Sequence, residues 1–127
     1  MPRGTETVLV AEDEPAVRRY VAAVLSGLGY RVLTCASGDD ALAAEEEHEG
    51  EIHALVSDLR MPRMGGPELR ERMAKRRPGI ATVYITGYAG DALGPAGAPE
   101  GTLVVHKPFT PADLGVAVRS VLDARGS

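Results

Sequence analysis

TVLVAEDEPAVRRYVAAVLSGLG, residues 7–29, decides how this chain is read. The run VLVA is apolar without alternation and stops abruptly on Glu12 and Asp13, which is the pattern of a strand buried on both faces. Immediately beyond it Val17, Tyr20, Val21, Val24, Leu25 and Leu28 recur at helical spacing, with Pro15 suited to a first turn and Gly29 to a helix end. A buried strand feeding directly into an amphipathic helix is the repeating unit of a parallel sheet covered by helices.

Outward from this stretch the alternation continues. Further strands are expected near residues 30–35, 53–57, 82–86 and 103–106, in addition to the one near 7–11. Helices are expected at roughly 38–49, from Gly66 and Pro67 to just before Pro78 and Gly79, and after Thr110, where Thr110, Pro111 and Asp113 resemble a capping box ahead of Leu114, Ala117, Val118, Val121 and Leu122. Between Gly87 and Gly101 the sequence GYAGDALGPAGAPEG carries five glycines and two prolines, so a fourth helix placed there should be short or irregular. The expectation is an α/β domain with a doubly wound five-stranded parallel sheet and helices on both faces. It covers residues 1–127 as one domain with an ordered core of about 6–124.

Composition narrows the class of function. With 44% hydrophobic and 25% charged residues this is the balance of a soluble globular protein, and no apolar stretch approaches the roughly 20 residues that span a bilayer. The formal charge of −4 and a pI near 5.3 argue against direct contact with nucleic acid. The basic cluster Lys75, Arg76 and Arg77 reads as a solvated helix end. Met1–Val8 lacks the apolar core of a signal peptide and the single Cys35 has no partner in the chain, which suits the cytoplasm and a structural thiol.

Four apolar runs end on chemically distinct groups: VLVA on Glu12 and Asp13, ALVS on Asp58, TVYI on Thr86 and LVVH on Lys107. In a parallel sheet the carboxyl ends of the strands share one edge, where such folds carry their sites. Three acids there would repel one another unless a hard divalent cation, most naturally Mg2+, neutralised them. Asp58 precedes LRMPRMGG, a turn that leaves its carboxylate at the edge, where it could attack phosphorus; Thr86 and Lys107 could then hold phosphoryl oxygens. Taken singly, each residue has an ordinary reading as a cap, a packing residue or a solvated charge. His48, His53 and His106 have no metal-ligand spacing and read as solvent or edge positions.

The segments VLVAEDEPAVRRYVAAVLSGLGYRVLTCASGDDAL, ALVSDLRMPRMGGPEL, VYITGYA and HKPFTPADL together resemble the receiver domain of two-component response regulators, over nearly the whole chain. The resemblance implies a flavodoxin- or CheY-like sheet of order 2-1-3-4-5; that order comes with the resemblance and not from the residues. It also implies that Asp58 accepts a phosphoryl group from a phosphohistidine on a histidine kinase or histidine phosphotransfer protein. Asp13 matches the direct Mg2+ ligand, Glu12 the acid beside it, and the backbone carbonyl of Arg60 the remaining protein ligand. Thr86 and Lys107 match the hydroxyl and ammonium that hold the phosphoryl group, and the Lys107–Pro108 bond is expected to be cis.

Four positions depart from the usual receiver pattern. Glu12 stands where Asp is commoner, and Val104 stands three residues before Lys107, where many receivers have the aromatic that reports phosphorylation. Arg60 and Tyr88 are large residues two positions after Asp58 and Thr86; either they cover the phosphoryl group and slow its hydrolysis, or they lie on the rim in solvent. The GYA and HKPFTP segments are similar to receivers at the C-terminus of hybrid histidine kinases, which leaves open an excised domain or a stand-alone carrier. Two rivals remain: a receiver-shaped interaction module that is not phosphorylated, and a phosphatase of the haloacid dehalogenase-like type. The second needs an Asp two residues after the nucleophile, where this chain has Arg60.

Overall fold

Alternating runs that are buried on both faces can be satisfied only by helices packed above and below a sheet, and the chain does this. A computed structural model describes residues 3–87 and 102–125. In chain order it contains β1 (Thr7–Ala11), α1 (Pro15–Gly27), β2 (Arg31–Cys35), α2 (Gly38–Glu47), β3 (Ala54–Asp58), α3 (Gly66–Arg76), β4 (Ala81–Thr86), β5 (Thr102–His106) and α4 (Pro111–Arg125). All strand pairs are parallel and the order is β2-β1-β3-β4-β5, as the resemblance implied. The irregular helix expected within 87–101 lies almost wholly outside the described residues, as does Tyr88.

Strand periodicity divides the core. Val8 and Val10 point to one face with Val56, Val83 and Ile85, where Val21 and Leu25 of α1 and Leu114, Val118 and Val121 of α4 cover them. Leu9 and Ala11 point to the other with Leu55, covered by Ala41 of α2 and by Leu69 and Met73 of α3. Cys35 is buried in this second core, consistent with a structural thiol. The central strands β1, β3 and β4 are buried along their whole length, whereas the edge strands are exposed in part, β2 at Arg31 and Thr34 and β5 at Leu103 and His106.

Local signals account for the element ends. Pro sits in the first turn of both α1 and α3, where its missing N–H costs nothing. At α4 the capping box is reciprocal: Asp113 N donates to Thr110 Oγ1 at 3.0 Å and Thr110 N to Asp113 Oδ2 at 2.9 Å. After β3 the chain must double back at close range. A Cβ on Gly66 would lie 2.7 Å from the Asp58 carbonyl oxygen and 3.0 Å from the Tyr84 ring, so the first residue of α3 is confined to glycine.

The solvated helix end expected for the basic cluster holds in part: Lys75 and Arg76 are exposed, yet Arg76 Nε lies 2.6 Å from Glu45 Oε1, and Arg77, only 18% exposed, donates from Nε to Glu45 Oε2 at 3.0 Å. Glu45, on the inner side of α2, is 3% exposed, and its burial is matched by two cations from the end of α3. His53, just ahead of β3, accepts the Thr7 N–H at Nδ1 (3.0 Å) and so ties the amino end of β1 to that of β3.

Candidate functional site

At the carboxyl edge of the sheet, β1 delivers Glu12 and Asp13, β3 delivers Asp58, β4 delivers Thr86 and β5 delivers Lys107. Carboxylate oxygens of Glu12, Asp13 and Asp58 lie within 4.8 Å of one another. Lys107 Nζ stands over them, 3.6 Å from Asp58 Oδ2, 3.7 Å from Glu12 Oε1 and 3.8 Å from Glu14 Oε2. A cleft lined by Asp13, Glu14, Asp58, Arg60, Gly87 and Lys107 opens above.

Backbone groups hold these side chains in place. Arg60 N donates to Asp58 Oδ1 at 3.1 Å, an Asx-type turn that fixes the carboxylate, while Leu59 N donates to the Ile85 carbonyl at 2.8 Å and Gly66 N to the Leu59 carbonyl at 3.1 Å. Glu14 N donates to Glu12 Oε2 at 3.0 Å and Arg18 to the Glu12 carbonyl at 2.9 Å. Thr86 is buried at the end of β4, and its carbonyl accepts the Lys107 N–H at 2.8 Å. The Lys107–Pro108 bond is cis.

The electrostatics of this edge ask for a cation. Glu12 is 0% exposed, and its Oε1 has no hydrogen-bond partner. Burial pushes the Glu12 carboxyl up to about 8; the Glu14 N–H works against this, and Asp58 adds to it. For Lys107, burial favours the neutral amine, but the attraction of Glu12, Asp58 and Glu14 outweighs it and raises the ammonium above its usual range. A buried carboxylate oxygen that accepts no hydrogen bond and has only the Lys107 ammonium, 3.7 Å away, to offset a nest of three acids fits a hard divalent ion with oxygen ligands.

The structure therefore brings together Glu12, Asp13, Asp58 and Lys107, with Arg60 on the cleft wall and Thr86 at the same strand edge. Sequence reasoning missed Glu14 and Gly87, both of which line the cleft. The third acid of the run EDE was the available signal for Glu14.

Residues 8–119 match the family described as the response regulator receiver domain. The chain belongs to that family. It is similar to the sensor kinase CckA of Brucella abortus (strain 2308), with 42% identity over 123 residues that cover 94% of this chain and 13% of the kinase. It is also similar to the response regulator receiver protein CpdR of the same organism, with 36% identity covering 92% of this chain and 97% of CpdR. A solved receiver protein from Sinorhizobium medicae WSM419 superposes with a TM-score of 0.84 at 29% identity, covering 95% of this chain and 97% of that one. The chain is thus a two-component receiver domain with the receiver fold, a signalling domain of a family whose members interact with histidine kinases or phosphotransfer proteins. Among the described residues no helix is long and apolar enough to cross a membrane.

Proposed function

We propose that Asp58 is the phosphoacceptor of this receiver domain and that Mg2+ is its cofactor. The observation that carries the reading is the Asp58 carboxylate itself, held by the Arg60 N–H at 3.1 Å, with Lys107 Nζ at 3.6 Å and two further carboxylates beside it. A carboxylate oxygen of Asp58 attacks the phosphorus of a phosphohistidine, the P–N bond breaks, and the imidazole leaves with the electron pair. Lys107 and Thr86 hold the phosphoryl oxygens. Glu12, Asp13, Asp58 and the Arg60 carbonyl would hold the ion. When bound it supplies charge neutralisation between Asp58 and the incoming oxygens.

On this reading the domain catalyses its own phosphorylation and dephosphorylation, works in the cytoplasm, and comprises residues 1–127. The relatives support both settings for it: CpdR is matched over nearly its whole length, while the chain spans only 13% of the sensor kinase. The test is incubation with acetyl phosphate and Mg2+ followed by intact-mass measurement. Wild type should gain one phosphoryl group and Asp58→Asn none. No adduct on wild type under conditions that label a control receiver would favour the interaction module, and multiple-turnover hydrolysis of a phosphate monoester such as p-nitrophenyl phosphate would favour the phosphatase.

A further inference from the structure

Lys107 is shared by three carboxylates at nearly equal distance, and two of them have other tasks. Asp58 is the proposed acceptor and Glu12 is buried against the metal position, which leaves Glu14, whose Oε2 is 3.8 Å from Lys107 Nζ. Glu14 occupies the N-cap of α1, yet its side chain makes no capping hydrogen bond. It is 60% exposed and reaches across the mouth of the cleft toward the ammonium instead. Its backbone is tied to Glu12 through the 3.0 Å bond from Glu14 N to Glu12 Oε2, which fixes the point from which the side chain extends beside the site.

We propose that Glu14 is a charge gate for phosphoryl entry: in the resting site it holds part of the attraction of Lys107, and its negative charge at the mouth selects against strongly anionic small-molecule donors. The proposal rests on the reading of Asp58 as acceptor. A phosphoryl donor must pass Glu14 and Asp13 and take Lys107 onto its own oxygens, so each added negative charge on the donor meets more repulsion. Attack by Asp58 on acetyl phosphate breaks the P–O bond and releases acetate with the electron pair. On phosphoramidate it breaks the P–N bond and releases ammonia, from a donor of smaller net negative charge at neutral pH. A donor presented by a protein can supply its own contacts and is selected against less than a free dianion.

The test compares labelling rates of wild type, Glu14→Gln and Glu47→Gln at saturating Mg2+, with acetyl phosphate and with phosphoramidate. Glu47 is an exposed acid of α2 and controls for net charge. Glu14→Gln should accelerate acetyl phosphate labelling by about threefold to tenfold at low ionic strength and phosphoramidate labelling by less. The difference should shrink to within about twofold in 1 M salt, where the screening length is about 3 Å. In the metal-free protein, without donor, the Lys107 Cε resonance should shift in Glu14→Gln and stay unchanged in Glu47→Gln. Equal rates for wild type and Glu14→Gln, equal acceleration with both donors, an acceleration indifferent to salt, or an unmoved Lys107 resonance would each overturn the gate while leaving Asp58 as acceptor. A wild-type protein that neither donor labels would overturn both.

Discussion

The turn that presents Asp58 depends on the absence of a side chain at position 66, and Gly66→Ala measures that dependence. The added methyl would sit 2.7 Å from the Asp58 carbonyl oxygen and 3.0 and 3.1 Å from two atoms of the Tyr84 ring. Backbone and a fully buried ring cannot both give way, so the start of α3 must shift by roughly half an ångström, at a cost of about 1–3 kcal/mol for overpacking. The better helix propensity of Ala, about 1 kcal/mol in a helix interior and smaller at this first position of α3, offsets only part of that cost. The net expectation is a loss of about 1–2 kcal/mol, read as a fall of about 0.5–1 M in the urea midpoint. Gly27→Ala is the internal contrast, because a Cβ there meets nothing within 4 Å and lies at the end of α1. It should stabilise by about 0.5 kcal/mol. Labelling of Asp58 should slow about tenfold in Gly66→Ala, since the displaced carbonyl belongs to the acceptor itself. A Gly66→Ala protein as stable as wild type, or a pair of variants shifted in the same direction, would refute the packing argument.

Three further outcomes follow from the same geometry. Arg119 hydrogen-bonds Glu6 in bidentate fashion (2.6 and 3.2 Å) and holds its carboxyl down at about 2, so the pair stabilises the fold fully above the ordinary carboxylate range. Its contribution, about 1 kcal/mol for a partly exposed pair, should disappear as pH falls from about 4.5 through 2. Urea titrations of wild type against Glu6→Gln check this; a difference constant across that window contradicts it. Asp13→Asn should weaken Mg2+ binding by about tenfold or more in isothermal calorimetry, and chelation of Mg2+ should abolish labelling of wild type; an unchanged affinity would remove Asp13 from the metal site. Arg60→Ala should shorten the phosphoryl half-life several-fold if Arg60 shields the group, and an unchanged half-life would leave Arg60 on the rim.

How much was legible beforehand follows from where the information sits along the chain. The central strands could be read to within a residue or two because burial on both faces leaves uninterrupted apolar runs that stop at a functional group, as ALVS stops at Asp58. The caps of α4 were readable because Thr110 and Asp113 are three residues apart. Strand order was not readable, since periodicity carries no information on which strands are neighbours, and it entered through the family resemblance. Glu45 was missed because one acid in a run of three looks solvated, and its burial depends on Arg76 and Arg77, which are remote in sequence. Glu14 was missed for the mirror reason: as the third acid of EDE it looks like an ordinary helix start, and only the arrival of Lys107 from β5 gives it a neighbour.

The proposed acceptor is a single carboxylate, so the most direct measurement locates the phosphoryl group chemically. Protein labelled with acetyl phosphate and Mg2+ is reduced with borohydride, which converts an aspartyl phosphate to homoserine, and the digest is sequenced by mass spectrometry. Homoserine at position 58, lost when Mg2+ is chelated, is the expected result. Homoserine at position 13, 5-hydroxynorvaline at position 12 (the product of a glutamyl phosphate), or a phosphoryl group found on His48, His53 or His106 would contradict the account.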